Sequence, residues 1–211
     1  MAVGSLVKTD DSLVSRVDRA LNKVEYVTII IGGLTVFALM LLAVFSVGGR
    51  NFFNTPLPGY VDWIEQLMPV IAILGVSYVC REGGHIRMDI LVGMIKGRAL
   101  WAAEFFTTLA IFIFAIMLLY GSWTHFDRSF EFGQPMWSRD SSMDIGLPIW
   151  PAKLVVPFAL TILNLRLIVQ LWAYGLAFAR NSDRPVAVPL VADVATQAAM
   201  EARQVSGRED A

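Results

Sequence analysis

The stretch CREGGHIRMDIL, residues 80–91, sets four charged side chains and a histidine between two apolar segments. Arg81, Glu82, His85, Arg87 and Asp89 are the residue types of a metal site, an acid–base pair or a membrane-surface anchor. Each chemistry makes a demand that the rest of the chain can be checked against. Structural zinc needs four ligands and catalytic zinc three; Cys80 and His85 supply two. A haem buried in a helical membrane protein needs axial ligands such as histidine within the helices. His125, the only other histidine, lies in a different connection. Glu82 and His85 could exchange a proton, but no nucleophile or pocket accompanies them. No catalytic, cofactor-binding or metal-binding residue is therefore assigned. The expectation is a protein that is not an enzyme, with a structural histidine at a membrane surface.

The elements that position this stretch are apolar. Of 211 residues 56% are hydrophobic and 17% charged, against about 25% charged in an ordinary soluble domain. The net charge of −1 gives no reason to expect a nucleic-acid partner. Residues 26–49 carry no charge, and their core, 27–47, is 21 residues long. At 1.5 Å per residue it reaches roughly 32 Å, enough to cross a bilayer core. It is too long for a signal-peptide core and is expected to be retained. Further spans are expected over 63–80, 105–124 and 147–166, the last continuing as helix to about 179. Pro69 should kink or break the second. Arg166 is placed at an interface, where a long side chain can snorkel, because a central arginine costs about 2.5–3.5 kcal/mol.

The fold class that follows is an all-α integral membrane protein. It has four transmembrane helices, short interfacial amphipathic segments and no soluble domain. Backbone groups in lipid need internal partners, and the alternating segments of a barrel are missing. The organisation expected is an N-terminal segment over 1–25, a membrane domain over 26–180 and a poorly ordered tail over 181–211.

Lys and Arg set the orientation. Lys8, Arg16, Arg19 and Lys23 precede the first span, and Arg50 alone lies in the first connection. The second holds Arg81, Arg87, Lys96 and Arg98; the third holds Arg128, Arg139 and, at its edge, Lys153. Arg180, Arg184, Arg203 and Arg208 follow the fourth span. The excess belongs inside, so both termini and the second connection are expected to be cytoplasmic.

Within that frame Gly83 and Gly84 read as a helix stop. Arg81 suits the negative end of the helix that it closes. Ile86, Ile90 and Leu91, alternating with charge, suit a short helix lying in the interface. Ion pairs among Arg81, Glu82, Arg87 and Asp89 would form a local clamp. In the first connection, RNFFNTPLP (50–58) is a stiff turn, and Arg50 could pair with Asp62 just beyond it. The third connection, with its interleaved aromatic residues and prolines, reads as a packed loop. Thr28, Gly32 and Gly75 are candidates for close helix contact.

Taken together, RNFFNTPLP, the Ile73–Gly75 step and REGGHIRMDIL resemble the small membrane subunit of tripartite ATP-independent periplasmic (TRAP) transporters, the DctQ-like family. The matching positions are Arg50, Phe53, Asn54, Pro56, Asp62, Gly75, Arg81, Glu82, Gly83, His85, Ile86 and Asp89. The chain departs from the family pattern at Gly59, Tyr60 and Val61, and Asp62 stands where glutamate is usual. The resemblance implies a cofactor-free scaffold in the bacterial inner membrane, surrounded by lipid. Its partners would be a large multi-span permease subunit and a periplasmic solute-binding protein, in sodium-driven uptake of an organic acid or similar solute. The competing readings are a stand-alone channel or carrier, and a cofactor-free anchor subunit of another complex.

Overall fold

A computed structural model describes residues 12–55, 57–82, 98–180 and 188. Pro56, Gly83, His85, Ile86 and Asp89 fall outside the described residues, as do Arg87 and nearly all of the tail.

The chain is all-α, and among the described residues no strand forms. Helix α1 covers Leu13–Phe53, α2 Tyr60–Ile73, α3 Val76–Arg81, α4 Arg98–Ser129 and α5 Trp150–Arg180. The segments Leu13–Phe53, Tyr60–Arg81, Ala99–Ser129 and Trp150–Ala179 are each long and apolar enough to cross a membrane.

Helix α1 does not begin with the uncharged run. Ser12 caps it, its hydroxyl accepting the backbone N–H of Ser15 at 3.4 Å, and the helix then runs unbroken for 41 residues. That is roughly 62 Å of helix. Its far end closes at Asn54, whose φ of 53° is left-handed, a conformation that asparagine tolerates and that ends helices. The second span is interrupted at Leu74–Gly75 and not at Pro69, which sits inside α2. The break falls where glycine's helix propensity is poor.

Helix α5 is the hub. It packs against α4, α2, α3 and α1, and 56% of its most apolar window is buried, against 6% for α1. Ala115 of α4 and Ala159, Ala173 and Ala177 of α5 are buried; small residues of this kind allow close helix approach in membranes, where burial from water supplies no drive. One apolar cluster joins Cys80 and Ala115 to Leu160, Leu163 and Leu167. A second joins Val14 and Trp101 to Val169, Tyr174 and Val188, with Trp101 stacked on Tyr174 at 6.3 Å. Thr28 is buried, and a Cβ on Gly32 would lie 3.9 Å from Leu74, whereas one on Gly75 would meet nothing within 4 Å.

The bundle has a loop end, where the connections 54–59 and 130–149 meet, and a terminal end, with the start of α1 and the ends of α3 and α5.

Candidate functional site

Toward the terminal end, helix periodicity turns the polar side of α1 inward. Asp18 and Glu25 are seven residues apart, two helical turns, and so share one face. Val14, Ser15 and Thr28 share their burial, while Val17, Val24, Tyr26 and Val27 are exposed. The two carboxylates thus face inward, while the outer side of this stretch carries those apolar residues together with the exposed Arg16, Arg19 and Lys23.

That inward face meets Arg166 of α5, which is 0% exposed. The guanidinium grips Glu25 with two bonds, Nε to Oε1 at 2.8 Å and Nη2 to Oε2 at 2.6 Å. Its Nη1 donates to Asp18 Oδ1. The planar fork of arginine fits this bidentate arrangement. Arg81, at the end of α3, donates to the same aspartate from Nε at 3.3 Å and Nη2 at 3.2 Å. Its Nη1 donates to Glu82 at 2.7 Å. Ser77, one turn before Arg81, donates to Glu25 Oε1 at 2.5 Å. One turn beyond Arg166, the Gln170 amide donates to the Cys80 carbonyl at 3.2 Å and accepts from the Cys80 thiol at 3.5 Å.

Two carboxylates and two guanidiniums thus neutralise one another in a site shut off from water. Desolvating each ion costs several kcal/mol, and only close geometry with satisfied donors offsets it. Here the charges come from three separate helices, so the cluster fixes α1 against α3 and α5. Each carboxylate is held by cationic donors from other helices. The snorkelling position expected for Arg166 is therefore incorrect: the guanidinium turns into the bundle because Asp18 and Glu25 are there to meet it. Of the pairs expected among Arg81, Glu82, Arg87 and Asp89, Arg81–Glu82 forms, Arg87 and Asp89 lie outside the described residues, and Arg81 also reaches α1.

A second polar cluster lies at the loop end. Lys153 is 13 residues before Arg166, about 20 Å along α5. Asp62, in the first turn of α2, is buried. It accepts from the Ser142 hydroxyl at 2.6 Å and from the backbone N–H groups of Ile145 at 2.9 Å and Asp144 at 3.2 Å. One turn on, the Gln66 amide donates to the Pro148 carbonyl at 2.7 Å. The expected Arg50–Asp62 pair does not form. The loop over 130–149 satisfies the carboxylate instead, and Arg50 stays exposed in the last turn of α1, where a cation suits the helix dipole. Gly59 is required at the bend before Asp62. Its φ is +68°, and a Cβ there would stand 2.4 Å from Ile145 Cδ1. That contact gives this departure from the family pattern a local reason.

Beside it, Asp140 accepts from Ser129 at 2.7 Å and Lys153 at 2.9 Å. The Ser129 hydroxyl, then the Lys153 ammonium, hold its carboxyl below the ordinary range. Phe130 packs on Phe132 at 4.8 Å and on Trp150 at 5.4 Å, and the Trp150 indole donates to the Met136 carbonyl at 3.0 Å. The loop is thus ordered by its own contacts, while Phe52, Phe53, Phe132 and Met143 leave an apolar rim exposed.

Of the residues singled out from sequence, Arg81 and Glu82 belong to the terminal cluster and Asp62 to the loop cluster. Asn54 caps α1, Phe53 is exposed, and Gly75 marks the break in the second span. Asp18, Glu25 and Ser77 were not singled out. The available signal was Arg166 itself, a deep cation that requires buried anions.

The sequence matches the family described as tripartite ATP-independent periplasmic transporters, DctQ component, over residues 15–174. The match takes in both clusters. A comparison with curated proteins finds no match.

Proposed function

The chain belongs to the DctQ family, the small-subunit component of TRAP transporters, and we propose that it acts there as a rigid scaffold. In this reading it holds a large permease subunit in the inner membrane. It also helps a periplasmic solute-binding protein to dock during sodium-driven uptake of an organic acid or similar solute. The loop end faces the periplasm, and both termini are cytoplasmic.

The buried cluster of Asp18, Glu25, Arg81 and Arg166 carries this reading. Ionisable groups that serve a substrate or ion path face a cavity that the substrate can reach. Here the deep charges hold one another across α1, α3 and α5, which suits an element that stays still while a partner moves. The outward apolar side of α1 supports a membrane partner beside it, since only 6% of its apolar window is covered by the chain itself.

The test is recovery of the tagged chain from its native membrane in mild detergent, with mass spectrometry of what accompanies it. A large polytopic protein in about equal amount is expected. Arg166→Leu should reduce its recovery while solute affinity of the isolated binding protein stays unchanged. A chain that comes alone, even after crosslinking in the membrane, overturns the assignment, and transport by the chain alone in liposomes establishes the carrier reading.

A further inference from the structure

A cleft of about 640 Å³ opens between α2 and α4, with α5 as its floor. That size falls in the range of small-molecule sites, about 300–1,000 Å³. Its lining changes character along its length. At the loop end are Glu65 of α2, His125 of α4 and Lys153 of α5; deeper in, Pro69, Val156 and Leu160 make it hydrocarbon. Glu65 and Pro69 are one helical turn apart and share a face. Trp123 and Trp150 stand near the same mouth in sequence, and tryptophan favours the level of the lipid headgroups.

The mouth carries both signs of charge. Glu65 is exposed and takes part in no ion pair among the described residues. Lys153 gives two of its donors to Ser129 and Asp140, and an ammonium has three. His125 is exposed beside it and has a ring N–H to give.

We propose that this cleft binds one zwitterionic phospholipid bearing a primary ammonium, of the phosphatidylethanolamine class. One acyl chain lies over Val156 and Leu160 between α2 and α4. The ammonium donates to Glu65, and the phosphate accepts from Lys153 and His125. The polar end of the site is at the bundle end and its apolar end points toward the middle, the orientation of a lipid in its own leaflet. An anionic lipid would leave Glu65 without a cation. The reading stands apart from the transporter assignment, since it needs only the cleft and its mouth.

The variant that tests it is Gly121→Phe. Gly121 lines the cleft, and a Cβ there meets nothing within 4 Å, so a bulky side chain at the cleft wall meets no clash at its first carbon. The full chain, with whatever subunit accompanies it, is washed in detergent and its retained lipid is quantified by mass spectrometry. The wild type is expected to keep about one ethanolamine phospholipid per chain, and Gly121→Phe at least fivefold less. Glu65→Gln, an exposed change that spares the fold, should lower the preference for ethanolamine over glycerol headgroups at least threefold after exchange in vesicles containing both. Equal retention by Gly121→Phe, no retained lipid in the wild type, or an unchanged headgroup preference in Glu65→Gln overturns the proposal. So does a crosslink from position 121 to another membrane protein in place of lipid.

Discussion

At the terminal end, polarity is buried as full charges paired between helices. At the loop end, it is buried as one carboxylate satisfied by a hydroxyl and backbone N–H groups of the loop it holds. The charged groups of the first cluster pair side chain to side chain and join residues up to 148 positions apart. The second uses the backbone and could form around many loop sequences. Removing Arg166 leaves Glu25 as a buried carboxylate with no cation, whereas removing Asp62 leaves neutral donors. The two ends should therefore differ in how much a single change costs and in what it disturbs.

The largest effect is expected at Arg166. Arg166→Leu leaves Glu25 with Ser77 and no cation, and should cost about 3–5 kcal/mol, read as a lowered midpoint of unfolding in mixed detergent. A loss below about 1 kcal/mol would place the arginine in contact with water. Asp62→Ala comes next. The Ile145 and Asp144 N–H groups lose their acceptor, an effect of about 1–3 kcal/mol. The disturbance should be local: faster amide exchange and proteolysis over 140–147, with the terminal end unaltered. If both ends loosened together, the clusters would not be separate units.

The smallest effect concerns pH. The carboxyl of Asp140 is held below its ordinary value by Ser129 and Lys153. Its contribution is then complete above the unfolded pKa, about 3.9, and is lost as pH falls through the lower folded value. Fluorescence of Trp137 and Trp150 should report loop loosening only in that acid range, and Asp140→Asn should abolish the transition. A transition centred near neutral pH would contradict this assignment.

Hydropathy made the four spans legible, because lipid demands long uncharged runs and little else produces them. The same rule hid the start of α1. Asp18, Arg19, Lys23 and Glu25 read as a solvated segment, yet two of the four face inward at helical spacing. Arg166 was read at an interface because its partners lie more than 140 residues away in sequence, and no local pattern names them. Asp62 was visible as an acid needing a partner, and Arg50 was the nearer cation. Hydrogen bonds from a loop 80 residues away satisfied it instead, because a carboxylate accepts from any well-placed donor. Asn54 and Gly59 carry left-handed backbone, a chain geometry that the reading of 50–58 as a stiff turn did not specify.

The most direct test of the account is a double-mutant cycle on Glu25 and Arg166, with Glu25→Gln, Arg166→Gln and the pair. Stability and recovery of the large subunit are read for each. The account predicts that each single change is costly. The pair should lose less than the two losses added, by about 1–3 kcal/mol, with partner recovery following stability. Small, additive losses would contradict it, since they would mean that α1 is held by something other than this buried pair.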